Sequence, residues 1–337
     1  MKLRRNVVFA IVAAALALPA WADWLIVLNK SDHEAALVDP KTLGVVAKVP
    51  VGKGPHEVAV SYDGRLAYVS NYGAYGIFRP GESREDQKPG STISVIDLKK
   101  RSVIATWDLG EYRSPHGIVS SRDGTRVWVT CEGNQAVLEL DATAGKILKS
   151  WKTEQRTSHM VVPTRDEKKL YIANIGSGSV TIINRETSVV KSIPTAQGAE
   201  GIALSPNGRE VWVANREQEK PSGRVFVFDT ATDTVVATFE SGGQMPIRVK
   251  FTPDGKEAWV SNARSNTVTV FEAATHKLLA TIGVGAVPVG IQMTPDGKRA
   301  FVANTNDNKV SVLDVPGRKL LTTFTTGNEP DGMAWAR

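Results

Sequence analysis

The chain has a single cysteine, Cys131, among 337 residues. No intramolecular disulfide can form, and a covalently attached c-type haem, which needs two thiols, is excluded. The sequence also lacks a phosphate-cradling glycine loop, a His-Glu-x-x-His pair and a Gly-x-Ser-x-Gly elbow. These absences remove the local signatures of P-loop nucleotide binding, zincin proteases and α/β-hydrolases. Aromatic residues amount to only 7%, although eight of them are Trp. At 42% hydrophobic and 23% charged, the composition is that of a folded chain, neither disordered nor collagen-like.

Only one long apolar run is present, at the start. Met1 to Arg5 is basic, Asn6 to Leu18 is almost wholly apolar, and Pro19 precedes Ala20-Trp21-Ala22, with small residues at the two positions a signal peptidase reads. We read residues 1–22 as a signal peptide cleaved after Ala22, and the mature chain as periplasmic or secreted. The run is short of the roughly 20 residues a membrane helix needs, and nothing later approaches that length, so no membrane span is expected. The net charge of +6 falls to +3 without Lys2, Arg4 and Arg5. That is too weak a bias to suggest nucleic-acid binding.

The rest of the sequence repeats itself. GPHEVAVSYDGRLAYVSN from Gly54 returns as SPHGIVSSRDGTRVWVTC, TSHMVVPTRDEKKLYIAN, GAEGIALSPNGREVWVAN, MPIRVKFTPDGKEAWVSN and VPVGIQMTPDGKRAFVAN. Each copy is followed by two further alternating apolar runs, and Asp-Gly or Asn-Gly marks most of the first turns. Residues 23–337 divide into seven units of about 45, the length of a propeller blade of four strands. Trp24 to Val51 supplies three strands without a first, and Gly327 to Arg337 a first strand without successors. The expected fold is therefore all-β: one seven-bladed β-propeller over 23–337, four antiparallel strands per blade, its ring closed by pairing the N- and C-terminal strands. Closure removes the open sheet edge.

Two columns of the repeat read as structural. Ile26, Tyr68, Trp128, Tyr171, Trp212, Trp259 and Phe301 are expected to pack between blades. Asn29, Asn71, Cys131, Asn174, Asn215, Asn262 and Asn304 are expected to cap a turn, Cys131 being the exception. The phrases YVSN, YIAN, WVAN, WVSN and FVAN, with PDG before them and VID or VFD after, resemble the YVTN-type β-propeller repeat. That family includes exported bacterial propellers, surface-layer proteins and relatives of the d-type-haem propeller domain. The resemblance implies the fold over the mature chain, and spans enzymes, binders and adhesive domains.

Function is sought where equivalent positions diverge. Seven residues before each first turn stand Asp331, His56, His116, His159, Glu200, Ile247 and Val289. The start of the innermost strand lies at the mouth of the central channel, so these side chains are expected to converge. His56, His116, His159 and Glu200 suit zinc, copper or iron, or a non-covalent haem-like ligand. The plainer reading is a His bonded to a loop carbonyl. Three residues earlier lie Lys53, Arg113 and Arg156, which suggest an anion site. Gly117, Gly201, Gly290 and Gly332 follow the column, for ligand approach or tight packing.

Insertions at Tyr72 to Ser91, with Tyr72, Tyr75 and Phe78, and at Arg216 to Gly223 lie on the same face and suggest a lid or partner contact. Cys131 is read as a small buried residue. The function expected is an exported, monomeric propeller that binds a metal-containing or anionic small molecule, or a periplasmic protein partner, at a three-His mouth. The alternatives are a metal-assisted hydrolase, lyase or lactonase with His or Glu200 as acid-base, and a protein-interaction scaffold. No committed nucleophile is visible.

Overall fold

The structure is a computed structural model that describes residues 23–73, 88–217 and 220–337; the expected signal peptide and the centre of the Tyr72 to Ser91 insertion lie outside them. Seven four-stranded antiparallel sheets follow one another around a ring. No α-helix occurs among the described residues, and no helix is long and apolar enough to cross a membrane. Six sheets are continuous in sequence. The seventh joins Pro330–Ala336 to Trp24–Asn29, Glu34–Val38 and Val45–Pro50. Trp24 pairs with Ala336, Leu25 with Trp335 and Val27 with Met333, as the split repeat anticipates.

The first turn of most blades is set by a short polar motif and a glycine. Ser61 donates to Asp63, Thr252 to Asp254 and Thr294 to Asp296, while Gly64, Gly255 and Gly297 take positive φ. Glu167 takes the same left-handed conformation where one blade lacks the glycine.

The aromatic column packs between sheets. Tyr68, Trp128, Tyr171, Trp212, Trp259 and Phe301 are buried, and the indole N–H groups of Trp128, Trp212 and Trp259 donate to Glu139, Glu210 and Glu257. Burying such rings without those partners would strand a donor in an apolar layer. The Asn column does more than cap a turn. Asn71, Asn174, Asn262 and Asn304 donate to Ser94, Thr181, Thr269 and Ser311 on the third strand of their own blades. Cys131 has no such bond. It is fully buried in an apolar cluster, and burial pushes its thiol far above the ordinary range.

Seven innermost strands line the channel: Pro55–Val60, Pro115–Ser120, Ser158–Pro163, Ala199–Leu204, Pro246–Phe251, Pro288–Met293 and Pro330–Ala336. Each breaks register at the diverging column. Pro55 pairs with Asn71 but Glu57 with Ser70, and Ser158 pairs with Asn174 but Met160 with Ala173. The same slip recurs in the other five. A bulge re-aims the extra residue, and here it turns the column toward the channel.

Candidate functional site

Two residues before the bulge, every blade holds a residue in the left-handed region: Gly54, Ser114, Thr157, Gly198, Met245, Val287 and Glu329. This kink and the bulge together present His56, His116 and His159 at one mouth. The backbones of His116 and His159 are pinned from the neighbouring blade, since Ser70 donates to the His116 carbonyl and Thr130 to that of His159, both at 2.6 Å. The His56 and His116 ring centroids are 5.0 Å apart, and those of His116 and His159 are 3.7 Å apart. Tyr72 closes on both neighbours, 4.8 Å from His56 and 5.5 Å from His116.

The three histidines line a cavity of about 500 Å³ together with Lys30, Glu200, Arg216, Arg248 and Asp331. Lys30 Nζ lies 3.2 Å from Asp331, and Arg216 makes a two-point contact with Glu200. Glu132 adds a further carboxylate. Its Oε1 is 2.5 Å from His159 Nδ1, and its Oε2 accepts from the Tyr72 hydroxyl at 2.5 Å. Among the described residues, no Lys or Arg is in ion-pair contact with Glu132.

All three histidines are held neutral. Burial, then Lys30, lowers His56 to about 4. Burial also holds His116 well below the ordinary imidazole range, assisted by His159, and burial with Arg216 does the same for His159. A neutral imidazole keeps one lone pair for a metal or a proton. His56 Nδ1 donates to the Gly54 carbonyl at 2.9 Å, which is the plain structural role for that nitrogen. His116 Nδ1 is buried with no partner. His116, Glu132 and His159 each offer one ligand atom, and these atoms lie within 4.8 Å of one another.

The family model for the seven-bladed lactonase-type β-propeller matches residues 29–283. The chain belongs to the lactonase family of seven-bladed β-propellers. Antigen Lp49 of Leptospira interrogans is 27% identical over 199 residues, which cover 53% of this chain and 42% of that protein. The chain thus spans less than half of that relative's length. Among solved structures, hydrazine synthase of Kuenenia stuttgartiensis superposes with a TM-score of 0.74 at 22% identity, covering 86% of this chain and 92% of that one. The dihydro-haem d1 dehydrogenase NirN, in complex with DHE, gives 0.65 at 16% identity, covering 90% and 63%. At such identities the two structures share a fold with this propeller.

In this lactonase-family propeller the mouth brings together His56, His116, His159, Glu200 and Asp331 and leaves out Lys53, Arg113 and Arg156, none of which lines the cavity. Lys53 is exposed. Arg113 donates to the Gly110 and Tyr112 carbonyls, and Arg156 to that of Gly176 at 2.9 Å. The reason is the left-handed residue that follows each of them. It reverses the chain between this column and the histidines, so the preceding side chain faces outward. The cations at the mouth are instead Lys30, Arg216 and Arg248. Glu200 is occupied by Arg216, so the close ligand set contains Glu132 in its place.

Lys30, Tyr72, Glu132 and Arg216 share a signal that the sequence holds. Each directly follows the strand-end Asn column, where the other blades carry Ile175, Ala263 and Thr305. The glycines after the His column serve packing. A Cβ on Gly117 would meet the His159 carbonyl at 2.6 Å, and one on Gly332 that of His56 at 2.1 Å.

Proposed function

We propose that the channel mouth binds one divalent transition metal through His116, His159 and Glu132, and takes a small anionic ligand on the ion. The observation that carries this reading is Glu132: a carboxylate with a 9% exposed side chain and no Lys or Arg within ion-pair distance among the described residues, although Arg216 is near enough to feel its charge, set against two neutral imidazoles. Of the other acidic groups lining the mouth, Asp331 and Glu200 are matched by Lys30 and Arg216, and Glu329 accepts from the Ser31 hydroxyl. A cation therefore completes the local charge, and the buried, unpartnered His116 Nδ1 has a use. Two His and one carboxylate suit zinc, copper or iron. Lys30, Arg216 and Arg248 line the same cavity, and together with the ion they would favour an anionic ligand.

A second reading, metal-assisted lactone hydrolysis, is favoured by the family match over residues 29–283. Water would add to the ring carbonyl, the ring C–O bond would break, and the proton would pass to the departing alkoxide, giving a hydroxy acid. The lining residues include no Ser or Cys, and the Thr305 hydroxyl is committed to the Pro330 carbonyl at 2.8 Å. The nucleophile would thus be water rather than a side chain. The basic start and apolar run of residues 1–22 support the further proposal that the protein is exported to the periplasm.

Metal analysis of protein recovered from the periplasmic fraction, with the same preparation assayed on a simple aldonolactone, tests these readings. One bound ion per chain supports the site, and lactone opening that stops on chelation supports the hydrolytic variant. A metal-free, inactive protein recovered from metal-replete medium contradicts both.

A further inference from the structure

Below the histidines the channel is interrupted. Next to the His column stand Glu57, Gly117, Met160, Gly201, Arg248, Gly290 and Gly332. Glu57 and Arg248, from blades on different sides of the ring, form an ion pair across the channel, each with an 11% exposed side chain. Beyond this pair lies a second cavity of about 470 Å³ that opens toward the opposite face and shares Arg248 with the first.

Two residues further along each innermost strand, alternation brings the side chains back to the channel. Six blades carry Ala59, Val119, Val162, Ala203, Gln292 and Ala334 there, and the seventh carries Lys250. Among the described residues the only partner of Lys250 is Gln292 Oε1, at 3.3 Å. Arg248 Nη1 is likewise buried without a partner, its Nη2 being taken by Glu57. Half-buried Lys250 shares its cavity with Val119, Val162 and Ala203 and lies beside an already paired arginine, with no carboxylate in ion-pair contact among the described residues, an arrangement that favours a counter-ion.

We propose that this lower cavity is a second ligand site, for a small amphipathic monoanion: a carboxylate that meets Lys250 and Arg248 Nη1, on an apolar body that fills the space lined by Val119, Val162, Ala203 and Phe251. The ion pair and Lys250 lie at the inner end of the cavity, Val119, Val162, Ala203 and Phe251 line its wall, and Arg122, Glu167 and Thr252 rim its outer end, so the ligand enters from the face opposite the histidines. Burial and the neighbouring Arg248 hold the Lys250 ammonium below the ordinary lysine range, and a bound carboxylate would reverse that shift. The site uses none of the metal-binding residues.

Calorimetric titration of octanoate, with octanol as an uncharged counterpart of the same shape, tests this on the full mature chain. Wild-type protein should bind one octanoate, with octanol at least tenfold weaker. Lys250→Met should weaken octanoate at least tenfold, Lys250→Arg should stay within a fewfold of wild type, and His116→Ala should leave binding unchanged. The arginine variant keeps the charge and guards against a folding defect in the methionine variant. Absence of octanoate binding in wild type, equal binding of octanol, or loss of binding in His116→Ala but not Lys250→Met would overturn the proposal.

Discussion

Glu57 and Arg248, 191 residues apart in sequence, meet across the central channel and divide it into two cavities. Because both side chains are almost wholly buried, removing one leaves the other as an uncompensated charge, a loss of about 3–5 kcal/mol. Glu57→Gln should therefore lower unfolding stability by that order in denaturant titrations. Glu57→Gln combined with Arg248→Met should recover much of it. If the double variant is as unstable as the sum of the two single variants, the pair has no mutual role.

The ring is closed by the two ends of the chain, with Leu25 paired to Trp335 and Ile26 to Ala334. Deleting residues 327–337 opens that sheet and exposes the faces of two neighbouring blades. We expect the single cooperative unfolding transition to be lost or broadened in calorimetry. A truncated chain with the wild-type melting profile would show that the terminal strand contributes nothing to closure.

Acid sensitivity follows from the neutral histidines. Burial holds their folded-state pKa values below the ordinary imidazole value of about 6.5, with His56 at about 4. As pH falls from 6.5 toward 4, the unfolded chain takes up protons that the folded chain refuses, so stability falls, by up to about 1.4 kcal/mol per pH unit for each histidine. Groups facing them include Lys30, Arg216, Glu132 and Asp331. Asp331 is also shifted down, because Lys30, His56 and Arg248 outweigh the burial that would raise it. Its contribution is lost only below about pH 3.8, outside this window. Metal-stripped protein with Asn at positions 56, 116 and 159 should show a flatter stability profile between pH 6.5 and 4. An unchanged slope would mean the histidines titrate normally.

The left-handed residue before each bulge is glycine in two blades and β-branched in two others, Thr157 and Val287. For Val287, at φ 55°, that conformation costs about 1–2 kcal/mol, partly offset in a glycine variant by its freer unfolded chain. Val287→Gly should raise stability by about 0.5–1 kcal/mol. Gly54→Val should lower it, because a Cβ there would meet the Gly73 carbonyl at 2.2 Å. Equal effects of the two substitutions would remove the conformational argument.

The repeat made the architecture legible, since period, turn residues and the split seventh unit are all written in the chain. The histidine column was legible for the same reason: identical positions in successive repeats must occupy identical places in successive blades. Glu132 was less plain: the position after the strand-end column does diverge between blades, but it sits beside a column that reads as structural, and only the folded ring sets it against His159. Lys53, Arg113 and Arg156 mislead by spacing alone. Their periodicity is real, but the left-handed residue after each sends the side chain outward, and Ser114 and Thr157 give no hint of that conformation. The Glu57–Arg248 pair joins distant repeats, and no local pattern announces it.

The most direct test of the metal site is calorimetric titration of Zn²⁺ into chelator-stripped protein, comparing wild type with Glu132→Gln, His116→Ala and Arg156→Lys. The account predicts one site in wild type, affinity lower by 100-fold or more in the first two variants, as loss of a ligand or its charge from a site of three implies, and no change in Arg156→Lys. A wild-type chain that binds no zinc, copper or iron, or one whose binding is untouched by Glu132→Gln, would contradict it.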